Sequence, residues 1–529
     1  MSVVVDRRNL TRYDEETIVK MLTIQPVETH PFRGKFRNNR GNQAKPSFAF
    51  YSVEGNYVRL PMAFAYVFFK ERYGHVGSSQ SPNSFAKDGE QNPSRIFGND
   101  QRNFHRLHLE FKGELRPRQK KRVAKLDPLF AKHRTATFCG HTAFGKTKVS
   151  LYYIAKHGLF TLVLVPGTQL MDQWPKAIKE VFPQARVGVV GENFRDDGWY
   201  DEERVFHCHQ DLPDILVCMP GRWQTIPDEV RDRVGFVIVD EGHMFCCPTR
   251  SVCLLQFSPK YTMVLTASPQ RRDGTLGVIH SLVGLHQVRA RYPNLVTVWK
   301  FELKMTFPTV KNVRGETNWQ GTVKQIVEND EYNQLIVDLT YSLVREMGRK
   351  PLLMCERKYH VNTLVEEIRR VGISCDYMME DKSNYQDSES LIAITTKAGT
   401  GFDEQYACPD IGGDRIDTVI YCTSIKELNR LIQYGGRAFR ADDPLIIHLV
   451  VDNNIVQSHW RAADKYYRSG DYLKRVEIKT IAPEDLWGDD QDEEQPYDQD
   501  DEQDQQENRR QDEKEKDLPK PVIIRRAKQ

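Results

Sequence analysis

Gly140-His141-Thr142-Ala143-Phe144-Gly145-Lys146-Thr147 reads G-x-x-x-x-G-K-T, the spacing of a loop that cradles phosphate. The residues before it, Thr135 to Cys139, are small, β-branched or aromatic and predict a strand. Those after it, from Lys146 to about Lys156, predict a helix. Strand, Gly-rich turn and helix together make an anion site. A helix start offers unpaired N–H groups and the positive end of its dipole. Glycine lets the backbone close around the anion. Lys146 would reach the β- and γ-phosphates, and Thr147 would hold Mg²⁺ through its hydroxyl. The bland alternative is a helix start that binds nothing.

Working outward, short apolar runs alternate with helical patterns. Leu159–Val165, Asp214–Met219, Gly235–Val239 and Tyr261–Leu265 each predict a buried strand. Continuous apolar strands alternating with helices indicate a parallel α/β sheet, with functional loops at the carboxyl ends of its strands. The alternation pauses between about Arg289 and Thr317. It resumes with predicted strands at Lys350–Cys355, Leu391–Thr396, Thr418–Cys422 and Leu445–Val451. This is a second α/β domain with no phosphate loop of its own.

The flanks differ in character. Residues 1 to about 110 are the least legible, though Tyr57–Phe69 (YVRLPMAFAYVFF) predicts core. Arg33–Lys45 is basic with an interleaved aromatic, and it reads either as a phosphate-backbone contact or as a solvated loop. Gly77–Asn92 reads as a polar linker. Net charge is +2, yet residues 484–517 carry −13, which leaves +15 on the rest. A basic body with an acidic, disordered tail suits a partner that is a polyanion. The weakly basic end, Lys520–Lys528, reads as a charged terminus. The ten cysteines lack paired C-x-x-C spacing, and His207-Cys208-His209 lacks zinc-finger spacing. They read as reduced thiols in a cytoplasmic or nuclear protein. No apolar run reaches eighteen residues, and the first sixteen carry charges where a signal peptide is apolar, so no membrane partner is expected. The expected domains are 1–111 (accessory), 112–308 (nucleotide-binding), 309–482 (second α/β) and 483–529 (tail).

Two further stretches complete the chemistry. Asp240-Glu241-Gly242-His243 ends an apolar strand 93 residues after Thr147. Hydrolysis of a nucleoside triphosphate needs one carboxylate for Mg²⁺ and another to orient the attacking water. Asp240 suits the first role and Glu241 the second. Arg437 and Arg440, at i and i+3, would share one helix face and point at a γ-phosphate from the second domain. Alone, the pair reads equally as two surface arginines.

Together, LRPRQ (115–119), GHTAFGKT (140–147), LVLVPGTQLMDQW (162–174), DEGH (240–243), LTASPQRRDG (265–274), LLMCERKYH (352–360), ITTKAGTGFD (394–403) and QYGGRAFR (433–440) resemble the motifs of superfamily 2 helicases and translocases. The resemblance covers about residues 112 to 475. Its style is that of large-DNA-virus helicases, typified by the poxvirus early-transcript release helicase. It implies two RecA-like domains, ATP and Mg²⁺, and movement along a strand of nucleic acid, 3′ to 5′, with DNA favoured and RNA the alternative. It also implies transcription or replication machinery as partner and, for a viral chain, the host-cell replication compartment or the virion as location. By the same resemblance Gln119 contacts adenine. Residues Gly140, His141, Thr142, Ala143, Phe144, Gly145, Lys146 and Thr147 wrap the phosphates, and Thr147 and Asp240 hold the metal. Glu241 orients water, and His243 with Gln433 senses the γ-phosphate. Thr266 and Ser268 couple hydrolysis to movement. Gly401 and Asp403 line the cleft, and Arg437 and Arg440 act as arginine fingers. Thr168, Arg357 and Thr396 are candidate strand-backbone contacts. The chain departs from the family at Ala143 (usually Gly), Phe144, Gly242 (usually Ala) and Arg118 (often aromatic). A double-strand translocase shares these motifs; a nucleotide-gated scaffold, against which the intact Lys146, Asp240, Glu241, Arg437 and Arg440 argue, and the motor subunit of a nuclease, for which no metal-nuclease motif is seen, are the other readings.

Lys146→Ala is expected to abolish ATP hydrolysis with the fold intact, as read by turnover beside circular dichroism; unchanged turnover removes the site assignment. Deleting 484–529 is expected to preserve the melting temperature and basal ATPase; a collapse of either shows that the tail is part of the folded body.

Overall fold

The computed structural model describes residues 1–26, 46–73, 104–191, 198–200, 206–208, 212–267, 273–380, 382, 384–399 and 402–487. Met1–Ile481 form one compact unit. A second unit opens at Ala482, and within it the short helix Pro483–Trp487 is described, with the Ala482 N–H on the Asp485 carboxylate at 2.7 Å. The basic segment 33–45, the polar stretch 77–92 and the acidic residues beyond 487 lie outside the described residues, as do Ser268 and Gly401.

The phosphate-loop strand, Thr135–Gly140, is buried along its whole length. It sits in a nine-stranded sheet in the order Phe206–Cys208, Gly198–Tyr200, Val187–Val190, Ile215–Cys218, Thr161–Leu164, Phe236–Val239, Tyr261–Thr266, Thr135–Gly140, Gln287–Ala290. The last seven run parallel. The first two pair antiparallel at one edge. Neighbouring residues on one strand feed opposite faces. Val163, Val217 and Ile238 join the core with Phe138 and Trp174, while Leu162, Leu216 and Val237 join the other core with Phe245 and Phe257. Both faces are buried, which is why these strands read as continuous apolar runs.

The second lobe is a seven-stranded, all-parallel sheet in the order Cys375–Met378, Ser390–Ile394, Pro351–Cys355, Thr418–Tyr421, Leu445–Asp452, Tyr292–Thr306, Leu473–Ile481. The pause expected at 289–317 is therefore filled by a fifteen-residue strand, Tyr292–Thr306. A division at 308 would leave it with the first domain, whereas its hydrogen bonds place it in the second sheet. Val296, Val298, Phe301 and Leu303 are buried, but Lys300, Glu302 and Lys304 interrupt them, so no continuous apolar run marks the strand. The strand expected over Leu391–Thr396 ends at Ile394, and Thr395–Ala398 turn into a short helix.

Residues 1–26 and 46–73 form a small module. Strands Ser2–Asp6, Tyr57–Pro61 and Ser52–Glu54 make an antiparallel sheet. Helix Arg12–Leu22 is started by a reciprocal cap between Thr11 and Asp14. Val3, Val5, Ile18, Leu60, Phe68 and Phe69 form its core. Met1, Ile24 and Phe50 instead enter the core of the first lobe. The Ser2 backbone N–H donates to Phe257 O at 2.9 Å, and its hydroxyl to Leu255 O at 2.6 Å, so the module is seated on that lobe. Among the described residues no helix is long and apolar enough to cross a membrane.

One steric detail concerns the DEGH turn. A Cβ on Gly242 would lie 2.3 Å from Cγ1 of Val264, a fully buried residue of strand Tyr261–Thr266. Alanine fits there only if that strand or its valine moves. Gly242→Ala is expected to cost about 1–3 kcal/mol by overpacking. In a Val264→Ala background the same change should cost less than about 0.5 kcal/mol, a coupling read from a four-member urea-denaturation cycle. Additive costs would show that the contact is not the reason for glycine.

Candidate nucleotide site between the two lobes

The phosphate loop is held from behind by the start of helix Pro117–His133. Gln119 is buried, and its amide donates to the carbonyls of Phe144 (3.1 Å) and Gly145 (3.3 Å) while its oxygen accepts the Arg116 N–H (2.8 Å). The Arg116 guanidinium donates to Phe144 O at 2.7 Å. These bonds satisfy carbonyls that the tight turn leaves without helical partners. Gly145 has φ +84°, and a Cβ on it would meet Gln119 Nε2 at 2.6 Å, so both conformation and space require glycine. Ala143 also has positive φ, +65°. An L-residue there costs on the order of 1 kcal/mol, which accounts for the family's glycine and marks Ala143 as a local strain. The Phe144 ring is buried, edge-on to Phe138 at 5.3 Å and to His141 at 5.4 Å. Its bulk anchors the loop in the core. Burial lowers the His141 pKa to about 4, so the loop carries no imidazolium at neutral pH. Lys146 Nζ donates to Gly140 O at 3.2 Å.

Across from the loop, Asp240 is buried, and both its oxygens accept hydrogen bonds at 2.9 Å: Oδ2 from Trp174 Nε1, Oδ1 from the Glu241 N–H. Burial, and then the Glu241 charge, raise its pKa, while the Lys146 ammonium pulls it back down. Glu241 holds a left-handed backbone, φ +48°. Such a residue stores about 1–3 kcal/mol and persists only where its surroundings impose it, often at active sites. Among the described residues its Oε2 is buried without a hydrogen bond, 3.5 Å from His243 Nδ1. His243 Nδ1 lies 3.1 Å from Thr266 Oγ1, and its Nε2 lies 3.4 Å from Gln433 Nε2. With the Gln433 amide donating, Nε2 is the acceptor and the ring proton sits on Nδ1, toward Thr266 and Glu241. The expected pair His243–Gln433 is thus brought together across the two lobes, and His243 also meets Thr266.

The second lobe meets the loop directly. The Thr142 N–H donates to the Tyr472 hydroxyl at 2.8 Å. A Cβ on Gly436 would lie 2.5 Å from Thr142 Oγ1. Tyr292 stacks on Phe439 at 4.2 Å and meets the His141 ring edge-on at 5.2 Å. Arg437 and Arg440 lie beyond helix Leu428–Gly435, at the start and the last residue of a 3₁₀ turn, Ala438–Arg440, in which side chains three apart fall on one face. Arg437 is half-buried, with its guanidinium on the carbonyls of Gly399 and Phe402 and 5.4 Å from the Phe402 ring. Burial, and then Arg440, bring its pKa down to about 10, so it stays charged at neutral pH. Arg440 Nη2 pairs with Asp403 Oδ2 at 2.5 Å. Both arginines therefore hold the Phe402-Asp403 loop of their own lobe.

Beside the loop lies a cavity of about 350 Å³, lined among others by Lys112, Thr147, Lys148, Trp174, Asp403 and Tyr406. The Tyr406 hydroxyl donates to Glu180 Oε1 at 2.9 Å, another bond across the lobes. The donor set suits Mg²⁺, a hard cation that takes oxygen ligands: the Thr147 hydroxyl and the Asp240 carboxylate are both at hand. Thr168 and Thr396 are exposed, and Arg357 donates to Gln320. All three follow the carboxyl ends of parallel strands, Thr168 in the first lobe and the others in the second. Arg116, Trp174 and Tyr472 were missed as site residues. Arg116 lies inside the LRPRQ stretch and Trp174 ends another recognised stretch, whereas nothing local in sequence marks Tyr472.

The chain matches the DEAD/DEAH box helicase family model over residues 116–273. It is 24% identical to "Putative helicase 161L" of Invertebrate iridescent virus 6, over 71% of the chain and 86% of that protein. Identity to "Putative ATP-dependent RNA helicase L396" of Acanthamoeba polyphaga mimivirus is 23%, over 91% and 88%. Identity to "Transcript termination protein A18" of Yaba-like disease virus is 20%, over 59% and 66%. With a phosphate loop, a DEGH turn and two parallel sheets meeting across a cleft, the chain is a superfamily 2 ATP-dependent helicase, and residues 116–273 are its DEAD/DEAH box domain.

Proposed function

We propose that the chain hydrolyses ATP between its two lobes to move along DNA in the 3′ to 5′ direction. The observation that carries this reading is the meeting of both lobes at the phosphate loop, through Thr142–Tyr472, and at the DEGH turn, through His243–Gln433. A triphosphate on that loop touches both lobes at once, so its presence and hydrolysis alter how they fit.

The loop amides and Lys146 bind the β- and γ-phosphates. Thr147 and Asp240 hold Mg²⁺, which when bound neutralises phosphate charge. Glu241, fixed by its left-handed backbone, orients the attacking water. Gln433 and His243 report the γ-phosphate to Thr266. Arg437 and Arg440 leave the carbonyls and carboxylate of their own lobe to stabilise charge on the transferring group. That exchange makes hydrolysis depend on closure. Gln119 meets adenine by sharing its amide, and Gly401 and Asp403 line the cleft. Thr168, Arg357 and Thr396 grip the strand backbone, so binding is sequence-independent and salt-sensitive. The ERKYH and LTASPQRRDG stretches favour DNA. The mimivirus relative's name makes RNA the competing polymer, and the name of the Yaba-like disease virus relative supports a role in viral transcription, within the host-cell replication compartment.

ATPase activity titrated with single-stranded DNA, duplex DNA and RNA tests the reading, beside strand displacement on duplexes with 3′ or 5′ tails. Single-stranded DNA is expected to stimulate turnover most, and only 3′-tailed duplexes to unwind. Triplex displacement without unwinding would make the chain a double-strand translocase. Turnover indifferent to every nucleic acid would leave a nucleotide-gated scaffold.

A further inference from the structure

The Trp174 indole is the one side chain seen bonded to the Asp240 carboxylate among the described residues, its Nε1 at 2.9 Å from Oδ2. Both residues are buried, Trp174 at 1% exposure and Asp240 at 5%. A buried indole N–H needs an acceptor, and a buried carboxylate needs donors. Each satisfies the other across 66 residues of chain. The Glu241 N–H fixes the other oxygen, Oδ1, from the adjoining peptide. One donor is local and moves with Asp240. The other comes from a separate helix, Thr168–Val181, and sets the rotation of the carboxylate about its Cβ–Cγ bond. Trp174 also lines the cavity that Thr147 lines, so the helix that bonds Asp240 borders the space in front of the phosphate loop.

We propose that Trp174 is a positioning residue for the metal carboxylate: its indole N–H fixes the direction in which Asp240 offers its remaining lone pairs to a divalent cation. The proposal rests on the reading that Asp240 and Thr147 hold Mg²⁺. The indole's volume fills the core between the helix and the sheet, where Trp174 packs with Ile178, Val163 and Ile238. Its N–H does separate work, because packing alone places no demand on the carboxylate's orientation. Partners that orient a ligand change metal affinity when removed, even with every ligand left in place.

The test is a Mg²⁺ titration of mant-ADP binding to the full chain, read by fluorescence and independent of turnover. Trp174→Phe removes the N–H. A second variant, with β-(3-benzothienyl)alanine at 174, keeps the ring outline and replaces N–H by sulfur, which covers the case in which the phenylalanine variant is poorly folded. In both, half-saturating Mg²⁺ is expected to rise about tenfold or more, while mant-ADP affinity in EDTA stays within about twofold of the parent. Equal losses with and without Mg²⁺ would overturn the proposal, since they are the mark of packing alone. Asp240→Asn separates the two layers. A Mg²⁺ shift in Asp240→Asn but in neither tryptophan variant overturns the role of Trp174. No shift in any variant overturns the cation site with it.

Discussion

The architecture turns on a short backbone segment that is unfavourable by itself. Ala143 and Gly145 both have positive φ, and the turn between them presents carbonyls outward where a helix would pair them. Gln119 and Arg116 take up those carbonyls, and the Phe144 ring pins the middle of the turn into the core. Only then are the amides on the other side free to face a ligand. Two sheets, a bracing helix and a buried aromatic serve to hold a few peptide groups in one orientation, and that preorganisation is what makes the site strong.

From that segment the second lobe acquires its meaning. It reaches the loop through Tyr472, Gly436 and Tyr292, and the DEGH turn through Gln433. Its arginines are meanwhile committed to their own loop at Gly399, Phe402 and Asp403. An arginine so engaged can reach phosphate only by exchanging one set of oxygen acceptors for another. The exchange is nearly balanced in hydrogen bonds, so it can be tipped by the charge of the triphosphate. A half-buried guanidinium that stays charged at neutral pH is suited to that exchange.

Much of this was legible in sequence wherever a strand was buried on both faces. Thr161–Leu164, Phe236–Val239 and Tyr261–Thr266 are mostly apolar runs, Thr135–Gly140 is a run of small, β-branched and aromatic residues, and each ends at a recognisable loop. Strands that alternate with charge were not legible. Leu473–Ile481 at a sheet edge spells LKRVEIKTI, and its exposed Lys and Arg protect that edge while hiding it from a search for apolar runs. Tyr292–Thr306 was lost for a related reason. Contacts between distant positions were equally out of reach. Nothing local to Trp174 says that its N–H faces an aspartate 66 residues along the chain. The arginine pair was read as a continuation of the preceding helix, whereas the helix ends at Gly435 and the arginines lie on the 3₁₀ turn that follows.

The glycine of the DEGH turn has a consequence for how such a chain changes over generations. Position 242 and position 264 share one volume too small for both a methyl group and a valine. Substitutions at the two positions are therefore not interchangeable in order. Shrinking the valine first opens a route to the alanine form; adding the alanine first meets a steric barrier. The identity of one signature letter is thus contingent on a core residue outside the signature, and the two should drift as a linked pair rather than as independent sites.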